Sequence, residues 1–224
     1  AQTIRQFLIG TIMHSTLPSL SATQARILGV LIEKEKTTPD VYPLTVNSLT
    51  TGCNQKTSRD PVMNLSEAEV QAALDELREL ELVSDSYGAS GRVIRYAHHF
   101  RKMYGVPGAS VALLATLMLR GPQTVSELRS NADRLNHFVD ASTVEGFLDE
   151  LANWSAGALV VKLPKQPGSS AHRWAHLLCG EVSAETYSAP GNAPAGKLEA
   201  LEERVAQLEN EVAELRAALA RLTT

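Results

Sequence analysis

The side chains able to do chemistry in this chain are few, and their spacing favours recognition over catalysis. Four of the six histidines fall in two pairs, His98 with His99 and His172 with His176. The second pair has metal-ligand spacing only on a helix, and the RWAH run around it reads as a strand. Cys53 and Cys179 form no CxxC or other close pair, so neither a disulfide framework nor a thiolate zinc site is indicated. There is no GxxxxGK phosphate loop, and no serine sits in an elbow motif with a placed base. The reading is therefore a non-enzyme with no cofactor and no metal. What remains is a polar, partly basic run, Asn54, Gln55, Lys56, Thr57 and Arg59, joined further on by Arg92 and Arg95. Lysine and arginine can meet phosphate, and the amides of Asn54 and Gln55 offer the donor and acceptor that fit adenine.

The elements that must position these residues are legible from capping and periodicity. Ser66 with Glu69 reads as a capping box that Leu65 can staple onto Val70, and Val70, Leu74 and Leu77 then recur at helical spacing. Ser21 with Gln24 opens an earlier helix to about Lys36, with a wide apolar stripe from Ile27 to Ile32. Pro39 and Pro43 end it and are expected to hold TTPDVYP extended, after which residues 46–53 form a second short helix. Residues 82–98 read as two short strands around GASG, a turn needing positive φ. Three helices followed by a hairpin is the winged-helix order.

The string TTPDVYPLTVNSLTTGCNQKTSRDPVMNLSEAEV, residues 37–70, resembles the signature of the YceH-like family of bacterial proteins. The likeness is carried by Asn54, Gln55, Lys56 and Thr57 followed by Arg59, Pro61, Val62 and Met63, and it covers residues 20–181. It implies tandem winged-helix domains and leaves activity open.

The second half repeats the plan of the first. RILGVLIEK matches ALLATLMLR, VNSL matches VSEL, LDEL recurs identically and RYAH recurs as RWAH, in the same order. The first copy holds about a dozen more residues, including the loop at 54–59. The expected organisation is an N-terminal extension at 1–19 with Met13 a candidate native start, winged-helix domains at 20–103 and 104–181, a flexible linker at 182–196, and a coiled coil at 197–224. In that tail Leu198, Leu201, Val205, Leu208, Val212, Leu215, Leu219 and Leu222 form a heptad seam. Val at a, Leu at d and opposite charges at facing g and e positions favour a parallel homodimer, the alternative being one amphipathic helix packed on its own domain. The fold class is thus mainly α with small β-hairpin wings (α+β).

A net charge of −4 excludes a general polycation, so any contact with duplex DNA must be local. The apolar run at 7–13 is too short to cross a membrane, and a cytoplasmic location with no membrane partner is expected. The leading reading is a DNA-binding, transcription-regulator-like protein. One objection stands against it: the third helix carries Glu67, Glu69, Asp75, Glu76, Glu79 and Glu81 against Arg78 alone, which repels phosphate. The alternative is a protein-protein interaction scaffold using these acidic surfaces.

Overall fold

The computed structural model describes residues 17–87, 93–166 and 168–182. The heptad tail, the linker from residue 183, the GASG turn and Arg92 lie outside the described residues. Seven α-helices and two antiparallel hairpins are found among those described.

Local capping chemistry sets the helix starts. Helix α1 (Ala22–Thr37) begins where the Ser21 hydroxyl accepts from the Gln24 amide at 3.2 Å and the Gln24 side chain accepts from the Ser21 amide at 2.7 Å. Helix α2 (Val46–Cys53) is capped by Thr45, and α3 (Glu67–Glu79) by the Ser66–Glu69 box. Strands β1 (Val83–Tyr87) and β2 (Ile94–His98) pair in the register Val83 to His98. The short α4 (Phe100–Tyr104) leads into α5 (Gly108–Arg120), α6 (Val125–Ala132) and α7 (Ala141–Ala152). Strands β3 (Val160–Lys162) and β4 (Trp174–His176) form the second hairpin. The TTPDVYP segment is not extended throughout: Pro39–Val41 form a 3-10 turn, closed by the Tyr42 amide donating to the Pro39 carbonyl at 3.2 Å. Proline at the first position of that turn loses no needed donor.

The sequence repeats fall on matching elements, and the match extends to hydrogen bonds. Leu44, just ahead of α2, bridges to Tyr96 of RYAH, and Gln123, just ahead of α6, bridges to Trp174 of RWAH. The Arg95 guanidinium donates to the Pro43 carbonyl at 2.8 Å, and that of Arg173 donates to Pro122 at 3.0 Å. In both repeats the arginine of this motif latches the second strand to the segment entering the second helix.

The repeats share one core. Residues 24–32 of α1 and 110–119 of α5 are buried without interruption, so each helix covers apolar surface on more than one side. One side packs within its own repeat, and another is where α1 and α5 meet. Gly29 permits that approach: a Cβ there would lie 2.9 Å from the Leu119 side chain. The hydrophobic cluster is continuous across both repeats, and the described residues up to Glu181 form one compact unit. The expected boundary between residues 103 and 104 falls inside α4.

Candidate functional site

The loop from Asn54 to Pro61 is built from below by two buried arginines. Arg26 of α1, 1% exposed, donates to the Cys53 carbonyl at 3.1 Å and to the Pro61 carbonyl at 2.7 Å, closing the loop at its two ends. Burial, reinforced by the neighbouring Arg59 charge, lowers its pKa from the usual arginine value. Arg59 folds inward from the loop itself. Its guanidinium grips the Glu33 carboxylate at 2.6 and 3.2 Å and donates to the carbonyls of Gly52 at 3.0 Å and Ser58 at 2.9 Å. That fork matches a carboxylate as lysine could not. The same packing pushes the Cys53 thiol up to about 12, through burial, so it is no thiolate nucleophile at neutral pH.

These contacts correct two expected roles. Arg59 is enclosed and cannot reach a phosphate in this structure. The Asn54 amide, expected at a base edge, spends both its groups on Leu65, donating to the carbonyl and accepting from the amide, each at 2.8 Å. It closes the loop just ahead of the Ser66 cap. Arg95 is half-buried, and its guanidinium forms the latch to Pro43 and also donates to the Val41 carbonyl at 3.3 Å.

Gln55, Lys56 and Thr57 are brought together. They line a cleft of about 400 Å³ whose other walls are the end of α1, the end of α5 and the turn after α6. The second repeat supplies Arg120, whose guanidinium donates to the Ser58 hydroxyl at 2.7 Å, and Arg134, while α1 supplies Lys34. The loop is pinned to this second wall by the Asp60 amide donating to the Leu119 carbonyl at 2.8 Å. Sequence reasoning missed Lys34, Arg120 and Arg134, which are distant in the chain. Their one shared signal, a basic residue at or just beyond the C-terminal end of a helix, is common to many helices.

A second surface is the solvent face of α3. Glu67, Glu69, Asp75, Glu76, Glu79 and the following Glu81 are all exposed. Arg78, their one basic neighbour, is engaged with Asp85 at 2.9 Å and Asp75 at 3.5 Å. Hydrogen bonds from the Ser66 hydroxyl and amide hold Glu69 below the usual carboxylate range. In the second repeat Lys162 is likewise engaged, with Glu145 at 3.0 Å, and lies 5.4 Å over the Trp174 ring. Among the described residues no group of three His, Cys, Asp or Glu side chains is placed to hold a metal ion, and no helix is long and apolar enough to cross a membrane.

A family model described as "Protein of unknown function, DUF480" matches residues 20–169, which cover the first repeat with its loop and the second repeat to a point short of β4. A UPF0502 protein of Acidovorax sp. (strain JS42) is 56% identical over 209 residues, covering 91% of this chain and 92% of its own. The chain belongs to this family. Another UPF0502 protein, from Dechloromonas aromatica (strain RCB), is 54% identical over 210 residues, covering 92% of this chain and 97% of its own. The resemblance to the YceH-like family seen at residues 37–70 falls inside the matched region. None of these names states an activity, so kinship in the DUF480 family leaves the geometry to argue function.

Proposed function

We propose that this chain is a non-enzymatic scaffold of two winged-helix modules locked in one orientation, which receives a Lys/Arg-rich segment of another protein on the acidic face of α3. The observation that carries this is the set of six exposed carboxylates on and just after the helix that a winged-helix DNA reader would insert into the major groove. Such a face repels a phosphate backbone and attracts a cationic chain, steering its encounter from a distance. The engagement of Asn54 and Arg59 within the loop weighs against the duplex-DNA reading, whose other candidates with described positions are Gln55, Lys56, Thr57 and Arg95. Heptads at 197–222 support a parallel homodimer, which would present two such faces and raise avidity for a repeated partner. A cytoplasmic protein fits this role.

The test is a pair of titrations of the full chain at low salt, one with a Lys/Arg-rich peptide and one with random duplex DNA. Saturable, salt-sensitive peptide binding that is lost in a Glu67→Lys, Glu79→Lys variant supports the scaffold. Duplex binding without peptide binding, unweakened by that variant, overturns it and restores nucleic acid as the partner.

A further inference from the structure

We infer that the cleft between the inserted loop and the second repeat is a binding site for a small molecule bearing a phosphate group. Its lining contains four basic side chains, Lys34, Lys56, Arg120 and Arg134, in a chain whose net charge is −4. The one carboxylate in the lining is Glu33, and Arg59 neutralises it with a two-point contact at 2.6 and 3.2 Å. Lys34 also lies 3.8 Å from Glu33, sharing a carboxylate already engaged. Arg120 is held by the Ser58 hydroxyl and feels only the Glu33 carboxylate that Arg59 already grips. Lys56 and Arg134 are exposed and make no ion pair among the described residues.

The plainest account of these cations is that they offset helix ends, and its size can be weighed. Helices α1, α5 and α6 all finish at the cleft. Each C-terminus contributes roughly half a negative charge, so the three together cancel only about one and a half of the four positive charges. An excess of about two and a half remains, enough to balance the charge of about −1.5 to −2 on a phosphate monoester at neutral pH. Gln55, Thr57 and the Ser58 hydroxyl can donate to phosphate oxygens, and the half-buried Leu135 gives an organic body somewhere to lie. The volume of about 400 Å³ is within the ordinary range of small-ligand sites.

Two backbone features concur. Ser58 has φ 61°, a left-handed conformation that non-glycine residues adopt at a cost and that clusters at binding sites. The amides of Gln55, Lys56, Thr57 and Ser58 make no hydrogen bond among the described residues, so the loop keeps donors in reserve beside the four cations. This site is separate from the α3 face and stands whether or not a protein partner binds there.

The experiment is calorimetric titration of the full-length protein with inorganic phosphate and with pyrophosphate at constant ionic strength, chloride serving as the control anion. Saturable binding of pyrophosphate is expected, weakened on the order of tenfold or more in a Lys56→Gln, Arg134→Gln variant, since charge-assisted bonds are removed. Both side chains are exposed, so the variant should keep the parent's melting temperature. Heats no larger than those of chloride, or equal pyrophosphate affinity in the variant, overturn the proposal. So does a duplex that binds through Lys56 and Arg134 and that pyrophosphate cannot displace, which would reassign the cleft to a nucleic-acid backbone.

Discussion

Replacing Arg59 with alanine separates a structural clamp from a ligand contact, because the two roles predict opposite outcomes. The Arg59 side chain has no solvent exposure, and that of Glu33 has 17%. Removing the guanidinium leaves Glu33 without its partner and frees the carbonyls of Gly52 and Ser58, which it holds at 3.0 and 2.9 Å. Breaking a buried ion pair from one side costs about 3–5 kcal/mol. Glu33 retains some access to water, so the low end applies, about 3 kcal/mol. At roughly 2–4 °C per kcal/mol for a domain of this size, the melting temperature should fall by about 6–12 °C. Urea and thermal unfolding followed by far-UV circular dichroism measure it. Arg59→Lys keeps the charge but not the planar fork and should recover only part of the loss. A double-mutant cycle with Glu33→Gln should show coupling on the order of 1–3 kcal/mol. A loss under about 0.5 kcal/mol, the range of ordinary surface changes, together with weakened phosphate or duplex binding would refute the clamp.

Gly52→Ala in α2 tests packing against propensity. Alanine gains about 1 kcal/mol in a helix interior, but its Cβ would lie 2.7 Å from the Cγ1 of buried Val30, and such overpacking costs about 1–3 kcal/mol. A net destabilisation of roughly 1 kcal/mol is expected in urea, and a variant more stable than its parent would contradict the close approach. His176 gives a pH signature: burial lowers its pKa from 6.5 to about 4, and its Nδ1 is shut from solvent without a partner among the described residues. Between those values the unfolded chain binds a proton that the folded one does not, so stability drops as pH falls from 6.5 towards 4, by up to roughly 3 kcal/mol. His176→Gln should flatten this part of the curve, and a wild-type-minus-variant difference that is the same at pH of about 7 and about 4.5 would exclude it. For the tail, sedimentation of the full chain should give a dimer that Leu208→Lys with Leu215→Lys converts to monomer. A monomeric parent rules out the zipper, and a variant that stays dimeric moves the interface elsewhere.

By itself the sequence determined what depends on neighbours in the chain. The Ser21 and Ser66 caps, the extent of α2 and the strand character of RYAH and RWAH are short-range matters of hydrogen bonding and side-chain period, and each is found where it was read. Gln55, Lys56 and Thr57 were also legible as a polar string. Only the tertiary structure decided what each cation faces. Arg59 and Lys56 stand three residues apart in the same loop, yet one is enclosed and the other exposed. The difference comes from Glu33, 26 residues upstream, which reaches Arg59 because α1 runs beneath the loop. Likewise Lys34, Lys56, Arg120 and Arg134 become one cleft only because α1 packs on α5, which carries the end of the second repeat's first helix to the first repeat's loop. The uninterrupted burial of residues 24–32 and 110–119 shows helices that are apolar on more than one side, the physical cause of that meeting. A charged side chain's solvation is set by such long-range packing, whereas caps and periodicity are set within a turn or two of chain.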